Sequence, residues 1–276
     1  MPAPSPKSAV PADPEDTAAD GAAPRPSDSY VQSFARGLEV LRSFGADCPA
    51  PTLSECAERV GLTRAGARRI LLTLQTLGYV EQDGRQFRLT PKVLELGFAY
   101  LSTQPWWHLA QPVLEDLTRE LGESTSAAVL DGDDIVYVSR VHAHRILAIN
   151  LGVGTRLPAH CTAMGRVLLS ALDEDERIAR VAEMKLVART PHTITDPELM
   201  LDTLAKVRRQ GWALINQELE LGLMSLGAPV KDRRGKIVAA INVSVQAHQA
   251  TVTQLKQHHL PQLLAAAERI SALLPR

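Results

Sequence analysis

The sequence predicts an α+β protein with three parts: an N-terminal winged helix-turn-helix, a linker helix, and a larger domain of antiparallel sheet and helices. Three observations predict it. Residues 52–90 read as helix, tight turn, helix and short hairpin. Pro91 then opens a new apolar helical stretch, since proline suits a first helical position. From Ser124 the hydrophobic period falls to two, and strand-like runs alternate with helical ones from there on.

Composition narrows the function. The 276 residues suffice for two domains, and 30 Lys and Arg nearly balance 31 Asp and Glu. A net charge near −1 argues against a protein that coats nucleic acid along its whole length, so any DNA contact must come from a local patch. No apolar run reaches the roughly 18 residues of a membrane span, and the N-terminus lacks an apolar signal core. Cys48, Cys56 and Cys161 have no metal-ligand spacing and form no even-numbered framework. That usage fits a reducing cytoplasm and argues against structural zinc, and no membrane, metal or cofactor is expected.

Residues 1–30 hold seven prolines, seven alanines and five acids, too little apolar surface to bury, and are expected to be a disordered tail. A helix capped by Ser33 follows, with Phe34, Leu38, Leu41 and Phe44 facing a core and Gly45 closing it. Thr52 and Glu55 form a capping box for the second helix. Gly61 suits the position past its end. Thr63 caps the third helix, where Ala67, Ile70, Leu71, Leu74 and Leu77 recur at helical spacing and Gly78 stops the chain.

The opposite face of that third helix carries Arg64, Arg68 and Arg69, with small Ala65 and Gly66 between. Arg64 and Arg68 are four apart and share a side. Arginine forks onto guanine edges or phosphates, and small neighbours let a backbone approach a major groove. Asp83-Gly84 between two strand-like runs signals a hairpin, which brings Arg85 and Arg88 within reach of phosphate. Five arginines against Glu81 and Asp83 make this stretch about +3 in a near-neutral chain. The alternative is a helical subdomain with a solvated basic face.

Beyond Pro91, Val93, Leu94, Leu96, Tyr100 and Leu101 make an amphipathic connector, suited to pairing with its counterpart in a second copy. A longer helix starts at Trp106, where the adjacent tryptophans Trp106 and Trp107 suit a core or an interface equally. Strands are expected at 126–130, 135–141, 146–151, 212–216, 226–230 and 237–245. Helices are expected at 161–172, 175–184, 196–210 and 251–274.

The loop before Cys161 leads into a helix start, whose unpaired N–H groups over Cys161, Thr162, Ala163 and Met164 suit a carboxylate. Thr162 bonding only its own backbone is an equal alternative. Adjacent His160 and Cys161 lack a third orienting group, so a catalytic nucleophile is not expected, nor any other catalytic residue. His142 and His144 lack a third ligand. Glu218 and Glu220 carry no sign of a catalytic carboxylate pair and suit hydrogen bonds to loop amides near a pocket instead. Asn242 and Ser244 alternate in an apolar strand and face one side, as satisfied core or as pocket lining.

The stretches SFARGLEVLRSF, LTRAGARRILLTLQTLGYV, FRLTPKVLELG, LGVGTRLPAHCTAMGRVLLSAL and QELELGLMSLGAPVKDRRGKIVAAINVS, in this order, resemble the IclR family of bacterial transcription regulators. Within it, DGDDIVYVSRV and GTRLPAHCTAMGRVLL are similar to the branch controlling protocatechuate, p-hydroxybenzoate and β-ketoadipate catabolism. The resemblance implies a winged helix-turn-helix over 31–91, a linker helix over 92–105, and a GAF/profilin-like effector-binding domain over 106–276. It implies binding to palindromic promoter sites in double-stranded DNA, self-association as dimer or tetramer, contact with RNA polymerase, and control by a small aromatic or dicarboxylic acid. The effector contacts it implies are His160 to Met164, Asn216, Gln217, Glu218, Ser225, Asn242 and Ser244. His160 stands where that branch has tyrosine, Asn216 where an acid is frequent, and Met224 where an arginine is frequent.

Overall fold

A computed structural model describes residues 30–103, 106–143 and 152–274. The expected tail, the expected strand at 146–151 and His144 lie outside the described residues. The chain divides into two compact units after Glu95, and each is described by itself.

The first unit packs three helices and a hairpin: α1 (Gln32–Arg42), α2 (Leu53–Arg59), α3 (Arg64–Thr76), β1 (Val80–Asp83) and β2 (Gln86–Leu89). The Thr52–Glu55 capping box forms as expected, and Thr63 accepts from the Gly66 amide at 3.1 Å. Gly61, at φ +62°, lets the Leu62 amide turn back to the Ala57 carbonyl, which ends α2. The β1–β2 register pairs Asp83 with Gln86, so Gly84-Arg85 is a two-residue loop, with Gly84 at φ +59°. Phe87 plugs this wing into a core of Val40, Phe44, Cys56, Leu71, Leu74 and Val80.

Two expectations for this unit fail. Val31, not Ser33, holds the N-cap of α1, with no side-chain bond. Phe34 and Leu38 are exposed, because Val40 and Phe44 supply the inward face of α1 and its end, and Leu77, at the C-cap of α3, is exposed too. Helical spacing alone could not say which of two apolar stripes faces inward.

After a short 3-10 turn (Pro91–Val93), α4 (Leu94–Thr103) crosses the division between the units. In the second unit Trp106 and Trp107 begin α5 (Trp106–Leu121), and both are core. The Trp107 indole donates to the Leu101 carbonyl at 2.8 Å, satisfying its buried N–H. The sheet then builds from β3 (Ser124–Asp131), β4 (Asp134–Val141), β5 (Arg156–Pro158), β6 (Ala213–Asn216), β7 (Leu223–Lys231) and β8 (Ile237–Gln246). Its order is β5-β4-β3-β8-β7-β6, antiparallel throughout.

The sheet buries both faces. Against one lie α5 and the last helix, in which α9 (Val252–Gln254) passes through a π-helical turn (Leu255–His259) into α10 (Leu260–Leu273). Against the other lie α6 (Ala163–Ser170), α7 (Glu174–Glu183) and α8 (Pro197–Gln210). The expected helix start at Cys161 is corrected: Ala159–Cys161 is a separate 3-10 turn, and α6 begins at Ala163 with Thr162 as N-cap.

Two glycines fix how α6 sits. A Cβ on Gly227 of β7 would lie 2.7 Å from the Ala163 carbonyl. A Cβ on Gly165 would lie 2.2 Å from the Ala159 oxygen. Backbone therefore packs on backbone at the start of α6.

Candidate functional site

The start of α6 and the facing strands enclose a cavity with about 530 Å³ of empty space, counting its mouth. Strand register determines its floor. Ser126 of β3 pairs with Arg140 on one side and Asn242 on the other, and Ser225 pairs with Ser244. These polar side chains share the face turned to α6. Cys161, Thr162, Ala163 and Met164 form one wall, and Tyr137, Ile215, Leu219 and Leu223 supply apolar cover.

The polar groups are unevenly satisfied. Thr162 accepts from the Gly165 amide at 3.2 Å and donates to the Pro158 carbonyl at 3.1 Å, so its hydroxyl is committed to its own backbone. The first helical amides, those of Ala163 and Met164, have no intrahelical acceptor. Arg140 donates through Nη1 to Ser126 Oγ at 3.3 Å, but its buried Nε has no partner. No carboxylate pairs with Arg140 among the described residues, and burial lowers its pKa below the usual guanidinium value. Its guanidinium carbon stands 5.7 Å from the Tyr137 ring centroid. Cys161 is an inert thiol, pushed up to about 11 by burial.

Of the expected effector contacts, Cys161, Thr162, Ala163, Met164, Ser225, Asn242 and Ser244 come together around the cavity. The other four do not line it. His160 is buried and binds the Val187 carbonyl through Nε2 at 3.1 Å. Asn216 is exposed at the end of β6. Gln217 adopts a left-handed conformation, φ 59°, and its side chain accepts from the Gly222 amide at 3.0 Å. Glu218 is buried against Arg166. Sequence reasoning missed Tyr137, Arg140, Ile215, Leu219 and Leu223. An arginine within the apolar run DIVYVSRV was the available signal.

In the first unit, Thr63 caps α3, and Arg64, Arg68 and Arg69 are exposed along it. Arg85 sits at the hairpin tip and Arg88 on β2, both exposed. None of the five pairs with a carboxylate among the described residues. No group of three potential metal ligands occurs among those residues either, and no helix there is long and apolar enough to cross a membrane.

A helix-turn-helix with an exposed basic face and a sheet domain with a cavity are the parts a transcriptional regulator needs, but a fold alone does not give a function, and the class rests on the family match. The chain matches the model for the "Bacterial transcriptional regulator IclR C-terminal" over residues 98–272, and that for the "IclR helix-turn-helix domain" over 33–84. It belongs to the IclR family. The Pca regulon regulatory protein of Pseudomonas putida is 43% identical over 239 residues, covering 86% of this chain and 82% of that one. The p-hydroxybenzoate hydroxylase transcriptional activator of Acinetobacter baylyi is 35% identical over 253 residues, covering 90% and 93%. The crystal structure of a transcriptional regulator from Rhodococcus sp. RHA1 superposes with a TM-score of 0.79 at 44% identity, covering 89% of this chain and 98% of that one. The inducer-binding domain of a PobR double mutant from Acinetobacter, in complex with 3-hydroxybenzoic acid, superposes with a TM-score of 0.58 at 33% identity, covering 60% and 98%.

Proposed function

We propose that this chain is a sequence-specific DNA-binding regulator of an aromatic-acid catabolic operon, controlled by a small carboxylate held in the cavity beside α6. The observation that carries the reading is Arg140, a half-buried cation with an unpartnered Nε and no carboxylate partner in a largely apolar cavity. A buried charge without a counterion is costly, and an anionic ligand relieves that cost. The Ala163 and Met164 amides add the positive end of α6 on the opposite wall. The regulators of aromatic catabolism among its relatives support the operon class.

DNA contact is assigned to α3, with Arg64, Arg68 and Arg69 at the major groove and Arg85 and Arg88 on phosphate. Self-association is assigned to α4, which exposes Leu94, Leu96, Phe98 and Tyr100. A dimer would place two recognition helices on a palindromic operator. Ligand binding shifts the populations of two arrangements of the units and so alters operator affinity or contact with RNA polymerase.

Thermal melting against a panel of aromatic and dicarboxylic acids tests the effector reading. A ligand at a hundred times its dissociation constant stabilises the fold by about 2.7 kcal/mol, and Arg140→Met removes most of the shift. A panel without any shift would favour a regulator whose second unit only oligomerises.

A further inference from the structure

Two arginines from different helices converge on one backbone oxygen. Arg177 of α7 donates through Nη1 to the Leu172 carbonyl at 3.1 Å, and Arg208 of α8 donates through Nη1 to the same oxygen at 2.9 Å. The two Nη1 atoms therefore stand no more than about 6 Å apart, the reach of both bonds end to end. No carboxylate pairs with either arginine among the described residues. Asp173 and Glu174, the acids nearest to Arg177 in sequence, are exposed to water, where their charge is screened. Arg177 is only 8% exposed. Its Nε and Nη2 have no protein partner among the described residues, yet neither is sealed from solvent.

Leu172 lies just past the C-terminus of α6, and Arg208 lies in the last turn of α8. Basic side chains often bond the last carbonyls of a helix, which accounts for one arginine here but not for two. Each helix end counts for roughly half a negative charge. The ends of α6 and α8 together offset about one of the two guanidinium charges and leave the other. Arg209, the next residue of α8, is exposed and adds to the positive potential.

We propose that Arg177 and Arg208 form a second ligand site, for the phosphate group of a small molecule, at the opposite end of α6 from the cavity. The eight residues of α6 span about 12 Å, and none of Leu172, Arg177 and Arg208 lines the cavity. The site does not depend on the carboxylate reading above. An anion held by two forks on different helices must accept from two directions. A tetrahedral phosphate presents three oxygens around its rim, whereas a carboxylate presents two along one edge. The planar guanidinium fork grips a pair of such oxygens at once, which a lysine ammonium does not. Phosphate also carries enough negative charge to balance what the helix ends leave over.

Titration calorimetry on the full chain, in a phosphate-free buffer of constant ionic strength, tests this with inorganic phosphate and with glycerol 3-phosphate. At least one of them is expected to bind saturably, one per chain, with a Kd of about 1 mM or tighter. Arg208→Gln, at an exposed position, should weaken that binding tenfold or more. Arg140→Met in the cavity and Arg68→Ala on α3 should leave it within twofold. Tighter binding of glycerol 3-phosphate would assign the site to a phosphate monoester, and tighter binding of inorganic phosphate to the free ion. No saturable binding of either, or equal binding by Arg208→Gln, overturns the proposal. So does binding that is lost in Arg140→Met or Arg68→Ala and kept in Arg208→Gln, because the phosphate would then sit in the cavity or on the DNA-facing arginines.

Discussion

Arg166 and Glu218 form a bidentate ion pair that is almost fully buried, with Nη1 at 2.9 Å from Oε1 and Nη2 against Oε2. Arg166 Nε also donates to the His160 carbonyl at 2.8 Å, and Glu218 takes the Ile194 amide at 3.3 Å. The pair ties α6 to two loops, and the next residue in one of them, Leu219, lines the cavity. Glu218→Ala leaves Arg166 buried and unpaired, which should cost about 3–5 kcal/mol in urea unfolding. Replacing both by apolar residues should cost less than the single change. A loss below about 1 kcal/mol for Glu218→Ala would mean that water reaches the pair.

His160 makes stability depend on pH. Burial is the main cause that lowers its pKa below the ordinary 6.5, with the Arg166 charge adding to it. Its Nε2 faces a carbonyl, so the neutral ring carries its proton there. The sign follows from proton counts. Below pH 6.5 the unfolded chain binds the proton more readily than the folded one, so stability is full above 6.5 and falls on acidification through the folded pKa. Half-buried His259 has a lowered pKa too, also led by burial, and contributes a slope of the same sign. His160→Gln should flatten, not abolish, the decline in unfolding free energy between pH 7 and 5. An unchanged slope would show that His160 titrates as it does when unfolded.

The first unit was largely legible because its signals are local. Capping residues, turn glycines and the period of α3 each act within a few residues, and Thr52, Thr63 and Gly84 sit where they were expected. The cavity was half legible. Thr162 and Asn242 lie on elements whose phase the sequence gives. Arg140 and Tyr137 do not, because they are three apart on β4 and share a face only through an irregularity: Ala127 pairs with Ser139 but Ala128 with Tyr137. One extra residue reverses the alternation, and nothing local in the chain marks it. The ion pair of Glu218 was not legible for a similar reason. Its partner Arg166 lies on another element, and only the fold brings them together.

The arginines of α3 and of the hairpin should separate in their effect on DNA. Arg68→Ala, at the position proposed to face the groove, should cost about 1–3 kcal/mol of operator affinity and relax sequence preference. Arg85→Ala, at the hairpin tip, should weaken binding to all sequences alike and reduce the salt slope by about one. Gel-shift titrations at several salt concentrations check both. If Arg68→Ala leaves operator affinity unchanged, α3 is not the reading helix.

Exposed apolar side chains on α4 give a direct test of self-association. Leu94 and Phe98, four residues apart, are 72% and 64% exposed in the single chain, more than a solvated helix would carry side by side. Leu94→Glu with Phe98→Glu should shift the sedimentation coefficient toward the monomer and lower operator affinity together. A variant that stays assembled would place the interface elsewhere.

Gly227 tests how finely the start of α6 is set. An added Cβ meets the Ala163 backbone at 2.7 Å, where no flexible side chain can yield. Gly227→Ala must push α6 away from β7, at a cost of about 1–3 kcal/mol. The displacement also moves the Ala163 and Met164 amides, so ligand-induced stabilisation should shrink along with basal stability. Gly37 in the middle of α1 is the control. A Cβ there meets nothing within 4 Å, and its φ is not positive. Gly37→Ala should therefore stabilise by about 0.4–1 kcal/mol through the unfolded chain and leave ligand binding alone. Equal behaviour of the two variants in thermal melts with and without ligand would show that backbone contact at Ala163 does not position the site.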